Sequence, residues 1–305
     1  MEILDGRYYG NGDKNLYLKI TGEGKIPVVI EPSWGSLSFE WEAIQIELSK
    51  HTTVISYDRA GYGESPKGVI PRTSGQIADE LYIALKNTGI EGPFILIGHG
   101  SGGLYCQNFL KLFANEVAGL VLVDSMSVKD MEFDNLKLPK YQETMTHKIK
   151  IENFKRYSEM EEEEFNATVL PMLNKIYGSF PEEMRDILIT YQSDINFYKT
   201  TLAELEARDA SIEMLNQLSL FTNIPITILC SDYKVMVDYA VKSGIPEEEA
   251  RVVQEYWLKS TKELENLSTD TEIIIVKNSS HYIHYDNPKA IIDTTLNMIK
   301  KCNLE

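Results

Sequence analysis

Four apolar runs punctuate the first 125 residues: IPVVI (26–30), TTVISY (52–57), FILIG (94–98) and GLVLVD (119–124). Each is apolar at consecutive rather than alternate positions, the pattern of strands covered on both faces, and this predicts a parallel sheet between layers of helices. Between the second and third runs, TSGQIADELYIALKNTGI (73–90) places Ile77, Leu81, Ala84 and Leu85 on one helical face. Thr73 and Gln76 stand there at capping-box spacing, and Gly89 closes the end, so this stretch reads as a crossover helix. From Met126 to Leu220 the texture changes to helix formers such as EMEEEEF and TTLAELEARDASIEMLNQL, with no strand-like run. Strands resume at IPITILC (224–230) and EIIIVK (272–277). The chain then closes on DNPKAIIDTTLNMIKK, a helix with Asn287 as cap and Pro288 in its first turn. The expected fold class is α/β: a mostly parallel sheet of about eight strands with helices on both faces. Its core spans 1–125 plus 221–305, and a helical cap is inserted at 126–220.

Chemistry concentrates where the runs end. FILIGHGSGG (94–103) is a strand breaking into glycines, where a G-x-S-x-G turn would carry a nucleophilic serine, yet the central position is Gly100 and a serine follows one place late at Ser101. YDRAGYGES (57–65) follows the second run, LVLVDS (120–125) the fourth, and SSHYIHYDNP (279–288) the last. In this order the four motifs resemble the α/β-hydrolase superfamily, of the lidded, esterase-like kind.

The resemblance implies roles. The nucleophile of that family sits on a strained turn flanked two residues away by small residues. Gly98 and Gly102 fill those places around Gly100, whereas a frame centred on Ser101 would put bulky His99 in one of them. Position 100 is therefore read as the nucleophile position, occupied by glycine. Ser101 supplies an oxyanion N–H, or, on a shifted elbow, a nucleophile of its own. In IEPSWGS, Ser33 falls where the second N–H donor stands, because Pro32 has none to give, while Trp34 and His99 border the substrate. Glu31 would oppose an oxyanion unless it turns away. His281 stands where the family keeps its base. The acid is either Asp124, after the sixth strand, or Asp232, in SDYKV. Asp58 is read as bracing its turn with Arg59.

Composition narrows the partners. A formal charge of −16 repels polyanions, which removes nucleic acid and anionic lipid surfaces. Cys106, Cys230 and Cys302 share no C-x-x-C spacing, so neither a disulfide framework nor a zinc site is expected. No phosphate-binding glycine loop with lysine appears and no metal-ligand cluster, so no cofactor or metal is expected. The start lacks a basic flank followed by an apolar run, and no stretch is long enough to span a membrane, which points to the cytoplasm. Tyr141, Phe154, Tyr177, Phe197 and Tyr198 in the cap suit a small to medium apolar acyl ligand, and equally a helical core. Two readings follow: an ester (less readily amide) hydrolase whose serine is replaced by Gly100, or a non-catalytic relative that uses the pocket for binding.

Overall fold

The computed structural model of the protein describes residues 4–12, 14–178, 180–217 and 222–303. Its sheet has eight strands: β1 (Arg7–Tyr9), β2 (Leu16–Thr21), β3 (Val28–Glu31), β4 (Val54–Asp58), β5 (Phe94–His99), β6 (Val117–Val123), β7 (Ile226–Cys230) and β8 (Thr271–Ile275). They lie in the order β1-β2-β4-β3-β5-β6-β7-β8; β1 and β2 run antiparallel to their neighbours, and every other pairing is parallel. The parallel strands are those with apolar runs.

Side-chain alternation splits each run between two cores. Val29, Ile55, Leu96, Leu120 and Ile228 pack on one face against Ala78, Leu81 and Leu85 of helix Ser74–Thr88 and against Phe109 and Leu110 of helix Ser101–Leu112. Their sequence neighbours Val28, Ile30, Ile95, Ile97, Val121 and Leu229 face the other way. They meet Ile44 and Leu48 of helix Glu42–Ser49, and Ile291 and Met298 of helix Pro288–Cys302. The helix ends follow their local chemistry. Thr73 Oγ1 accepts the Gln76 N–H at 3.3 Å, but the Gln76 amide reaches Glu80 instead of returning to Thr73, so that cap is one-sided. Gly89 ends the helix at φ 75°, and Asn287 Oδ1 accepts the Ala290 N–H.

Between β6 and β7 the described residues form helices, with a single isolated bridge at Thr222. The expected end of the insertion, Leu220, lies outside the described residues. Phe165, Val169, Leu173, Leu188, Phe197 and Tyr198 of these helices make a core of their own, which Leu37, Phe39 and Tyr62 join from the loops after β3 and β4.

The seam between insertion and sheet is held by Arg59, which is 2% exposed. Its Nη1 donates to Glu31 Oε1 at 2.8 Å and to the Pro32 carbonyl, Nη2 to the Ser33 carbonyl and Glu204 Oε2, and Nε to Glu204 Oε1 at 2.9 Å. Asp58 braces its turn, but Arg59 is turned away from it to Glu31 and Glu204. Successive side chains at a strand end point to opposite sides, and Asp58 accepts the N–H groups of Ser38 and Glu64. Arg59→Met strands two buried carboxylates, so urea unfolding is expected to show a loss of about 3–5 kcal/mol; a loss under about 1 kcal/mol would show that the cluster does not hold the seam.

Candidate active site

The site is built at the carboxyl ends of β3, β5 and β6. At the end of β5 the chain turns through Gly100, whose φ of 53° and ψ of −119° lie where a side chain is strained. The turn is stitched to β6: Gly100 N–H donates to the Val123 carbonyl, and the Gly100 carbonyl accepts the Met126 N–H at 2.9 Å. A β-carbon on Gly102 would stand 2.2 Å from the Glu31 carbonyl oxygen, so β3 can pass only because that residue is glycine. A β-carbon on Gly100 would stand 2.5 Å from Ser33 Oγ and 3.4 Å from His281 Cε1.

The loop after β3 is set by Arg59 through the carbonyls of Pro32 and Ser33. Ser33 Oγ accepts the Ser101 N–H at 3.4 Å. Ser101, at the first position of its helix, spends its own hydroxyl on the Trp34 N–H at 2.8 Å. Trp34 borders the cavity described below and donates Nε1–H to Tyr105. Glu31 does turn away: its carboxylate holds Arg59 and the Tyr57 hydroxyl. Burial, opposed by Arg59, pushes its pKa up to about 7.

His281 Nδ1 lies 2.7 Å from Asp124 Oδ2. Asp124 is the residue after β6, held at φ 41°, and is 1% exposed, with its N–H on the Leu229 carbonyl. Its other oxygen accepts Ser231 N–H at 2.9 Å and Trp257 Nε1–H at 3.2 Å. Burial opposes the charge, but the bonds to His281 and Ser231 outweigh it and hold the carboxyl below its usual range. Asp232 is not brought to the imidazole. Its carboxylate is spent on the backbone N–H groups of Asn278 at 3.0 Å and Lys234 at 2.9 Å, where it caps helix Tyr233–Lys242 and pins the loop leading to His281. Trp257, on helix Glu247–Lys262, carried no sign in the sequence of its place beside Asp124, because only the tertiary fold brings that helix there.

His99 and His284 crowd behind His281, with ring centroids of His99 4.5 Å from His281 and 4.8 Å from His284. His99 donates Nε2–H to the His281 carbonyl at 3.0 Å, while desolvation and the neighbouring His281 bring its pKa down to about 3. Burial likewise lowers His284, which stacks on Trp41. A cavity of about 370 Å³ opens over these groups, bordered by Ser33, Trp34, His99 and His281 from the sheet side and by Phe154, Tyr157, Met172 and Phe197 from the insertion. An imidazole with one nitrogen on a buried carboxylate, beside a strained turn and facing a cavity, can take and return a proton.

The fold and this arrangement define a hydrolase-type α/β protein. The chain belongs to the alpha/beta hydrolase fold family, whose sequence profile matches residues 26–288. An AB hydrolase superfamily protein of Gibberella zeae is 23% identical over 94% of this chain and 92% of its own length. The chain spans only 16% and 18% of two other relatives, an uncharacterized protein of Schizosaccharomyces pombe and a probable transporter of Hormonema carpetanum. Among solved structures, the epoxide hydrolase CorEH superposes with a TM-score of 0.70 at 16% identity, covering 97% of this chain and 98% of that one. An esterase from Exiguobacterium antarcticum does so with a TM-score of 0.66 at 15% identity, covering 97% and 99%. No helix among the described residues is long and apolar enough to cross a membrane.

The histidine cluster carries a pH dependence. His99 falls from 6.5 to about 3 on folding, so its contribution to stability is full above pH 6.5 and is lost as pH falls below it. Between about pH 7.5 and 5.5 this amounts to about 1.3 kcal/mol. Urea unfolding at the two pH values is expected to show that loss in the parent chain and to show it reduced by about that amount in His99→Gln; equal losses in both would remove His99 as its source.

Proposed function

We propose that the protein is a hydrolase of small to medium apolar carboxylic esters, less readily of amides, working at the Asp124–His281 pair. The observation that carries this reading is the 2.7 Å contact between His281 Nδ1 and the buried Asp124, set beside a turn that keeps nucleophile geometry at Gly100. In this reading His281 is the base and Asp124 its orienting acid. Ser101 N–H, and Ser33 N–H with it, receives the oxyanion. The helices of residues 126–220 act as a cap on the core of 1–125 and 221–305, and their aromatic side chains receive the acyl group. The esterase and epoxide hydrolase likenesses support a hydrolase and leave the ester preference to the cavity's apolar lining.

Gly100 favours a second reading, in which the pocket only binds, since no hydroxyl stands on the turn. The two part in one experiment. A serine side chain at 100 collides with Ser33 Oγ, so the restoring variant is Gly100→Ser combined with Ser33→Ala. With p-nitrophenyl acetate and butyrate it is expected to give an acyl-enzyme burst and turnover at least about tenfold above the parent, lost again on adding His281→Ala. A folded double variant with no turnover, beside a parent with none, leaves the binding reading in place.

A further inference from the structure

Removing the side chain at position 100 has not left its space empty. The place a β-carbon would take there is 2.5 Å from Ser33 Oγ and 3.1 Å from Ser33 Cβ, so Ser33 directs its hydroxyl into the volume that a serine on the turn would occupy. One contact of that hydroxyl, and one of the vacated point it enters, suit an attacking oxygen. The N–H of the residue after the turn, Ser101, lies 3.4 Å from it, so a carbonyl reached by that hydroxyl falls beside the same donor. His281 Cε1, the ring carbon between the nitrogen bound to Asp124 and the free nitrogen, lies 3.4 Å from the same vacated point. Ser33 is also part of the cavity wall, and the bond from Arg59 to its carbonyl fixes the backbone that aims it. Ser101, the other hydroxyl nearby, already accepts the Trp34 N–H and lies 3.4 Å from Ser33 Oγ, to which it can donate.

We infer that Ser33 is the nucleophile of this chain, its hydroxyl standing in from the neighbouring loop for the one absent from Gly100. The inference rests on the ester-hydrolysis reading above. Ser33 Oγ bonds to the ester carbonyl carbon while its proton passes to His281 Nε2, and the carbonyl electrons collect on the oxygen beside Ser101 N–H. The tetrahedral centre collapses, the carbon–alkoxy bond breaks, and the alcohol leaves with the proton from His281. Water then adds to the acyl-Ser33 carbon and gives a proton to His281. The carbon–Oγ bond breaks, the carboxylic acid departs, and Ser33 recovers its proton, so ester and water become acid and alcohol.

A fluorophosphonate probe with peptide mapping, run beside p-nitrophenyl acetate kinetics, tests this. The parent chain is expected to take one adduct on Ser33, to show a burst of about one equivalent, and to lose both in Ser33→Ala along with about 100-fold of its turnover. His281→Ala is expected to lose the adduct while keeping Ser33 in place, and thermal melting checks that both variants fold. An adduct on Ser101, or turnover undiminished in Ser33→Ala, overturns the assignment and leaves ester hydrolysis standing, with Ser101 or activated water as attacker. A parent that neither hydrolyses nor labels, beside an active Gly100→Ser, Ser33→Ala variant, also overturns it and spares the hydrolase site. Inactivity of both removes the hydrolase reading itself.

Discussion

Arg59 is the point on which the site's geometry depends. A guanidinium has five N–H donors in a fixed plane, and all five are used: two on Glu204, one on Glu31 and two on the carbonyls of Pro32 and Ser33. A buried cation is tolerable only when satisfied in this way, because an uncompensated charge in the interior costs several kcal/mol. The consequence is geometric as well as energetic. Glu31 ends β3, Arg59 follows β4, and Glu204 belongs to helix Ile195–Glu206 of the insertion, so one side chain fixes the sheet, the Ser33 loop and the cavity roof relative to each other. Tyr62 and Tyr105 add their hydroxyls to Glu204.

The elbow shows how a backbone of unusual conformation is held with no side chain at its apex. Its conformation is held by Gly100 N–H on Val123, by Met126 N–H on the Gly100 carbonyl, and by the close pass of Gly102 under Glu31. None of these uses a side chain at 100. Glycine there relieves the strain that a β-carbon would bring, so the turn is cheaper in this chain than with a serine. The volume beside the turn is taken by the Ser33 side chain.

Much of this was legible in the sequence, and the reasons for the gaps are physical. Runs such as FILIG declared buried parallel strands, and the glycines at 98 and 102 fixed the frame of the turn, because backbone approach tolerates nothing larger. β1 and β2, reading RYY and LYLKIT, had no continuous run to show, since an antiparallel margin keeps polar positions. Asp124 and Asp232 could not be separated by register: both end strands, and what divides them is that Asp232 satisfies two backbone N–H groups while Asp124 is buried. Asp58 and Arg59 are adjacent in the chain, but their side chains go to different partners. Ser33 was visible as a backbone position, but where its hydroxyl points is decided by β3 and β5 lying side by side.

The three histidines illustrate how burial assigns a proton. Their rings lie in contact, yet a carboxylate reaches one of them. His99 commits Nε2–H to the His281 carbonyl, leaving Nδ1 buried without a partner, which is tolerable for a neutral ring and not for an imidazolium. Neither nitrogen of His284 has a partner, and its face lies on Trp41. Both rings are thereby kept neutral and act as spacers that set the position of His281 from behind. The pairing of β6 with β7 places Asp124, Asp124 fixes Nδ1 of His281, and the ring's Cε1 edge is turned toward the space between Gly100 and Ser33. Of these three imidazoles, His281 alone combines a buried carboxylate partner with an opening to the cavity.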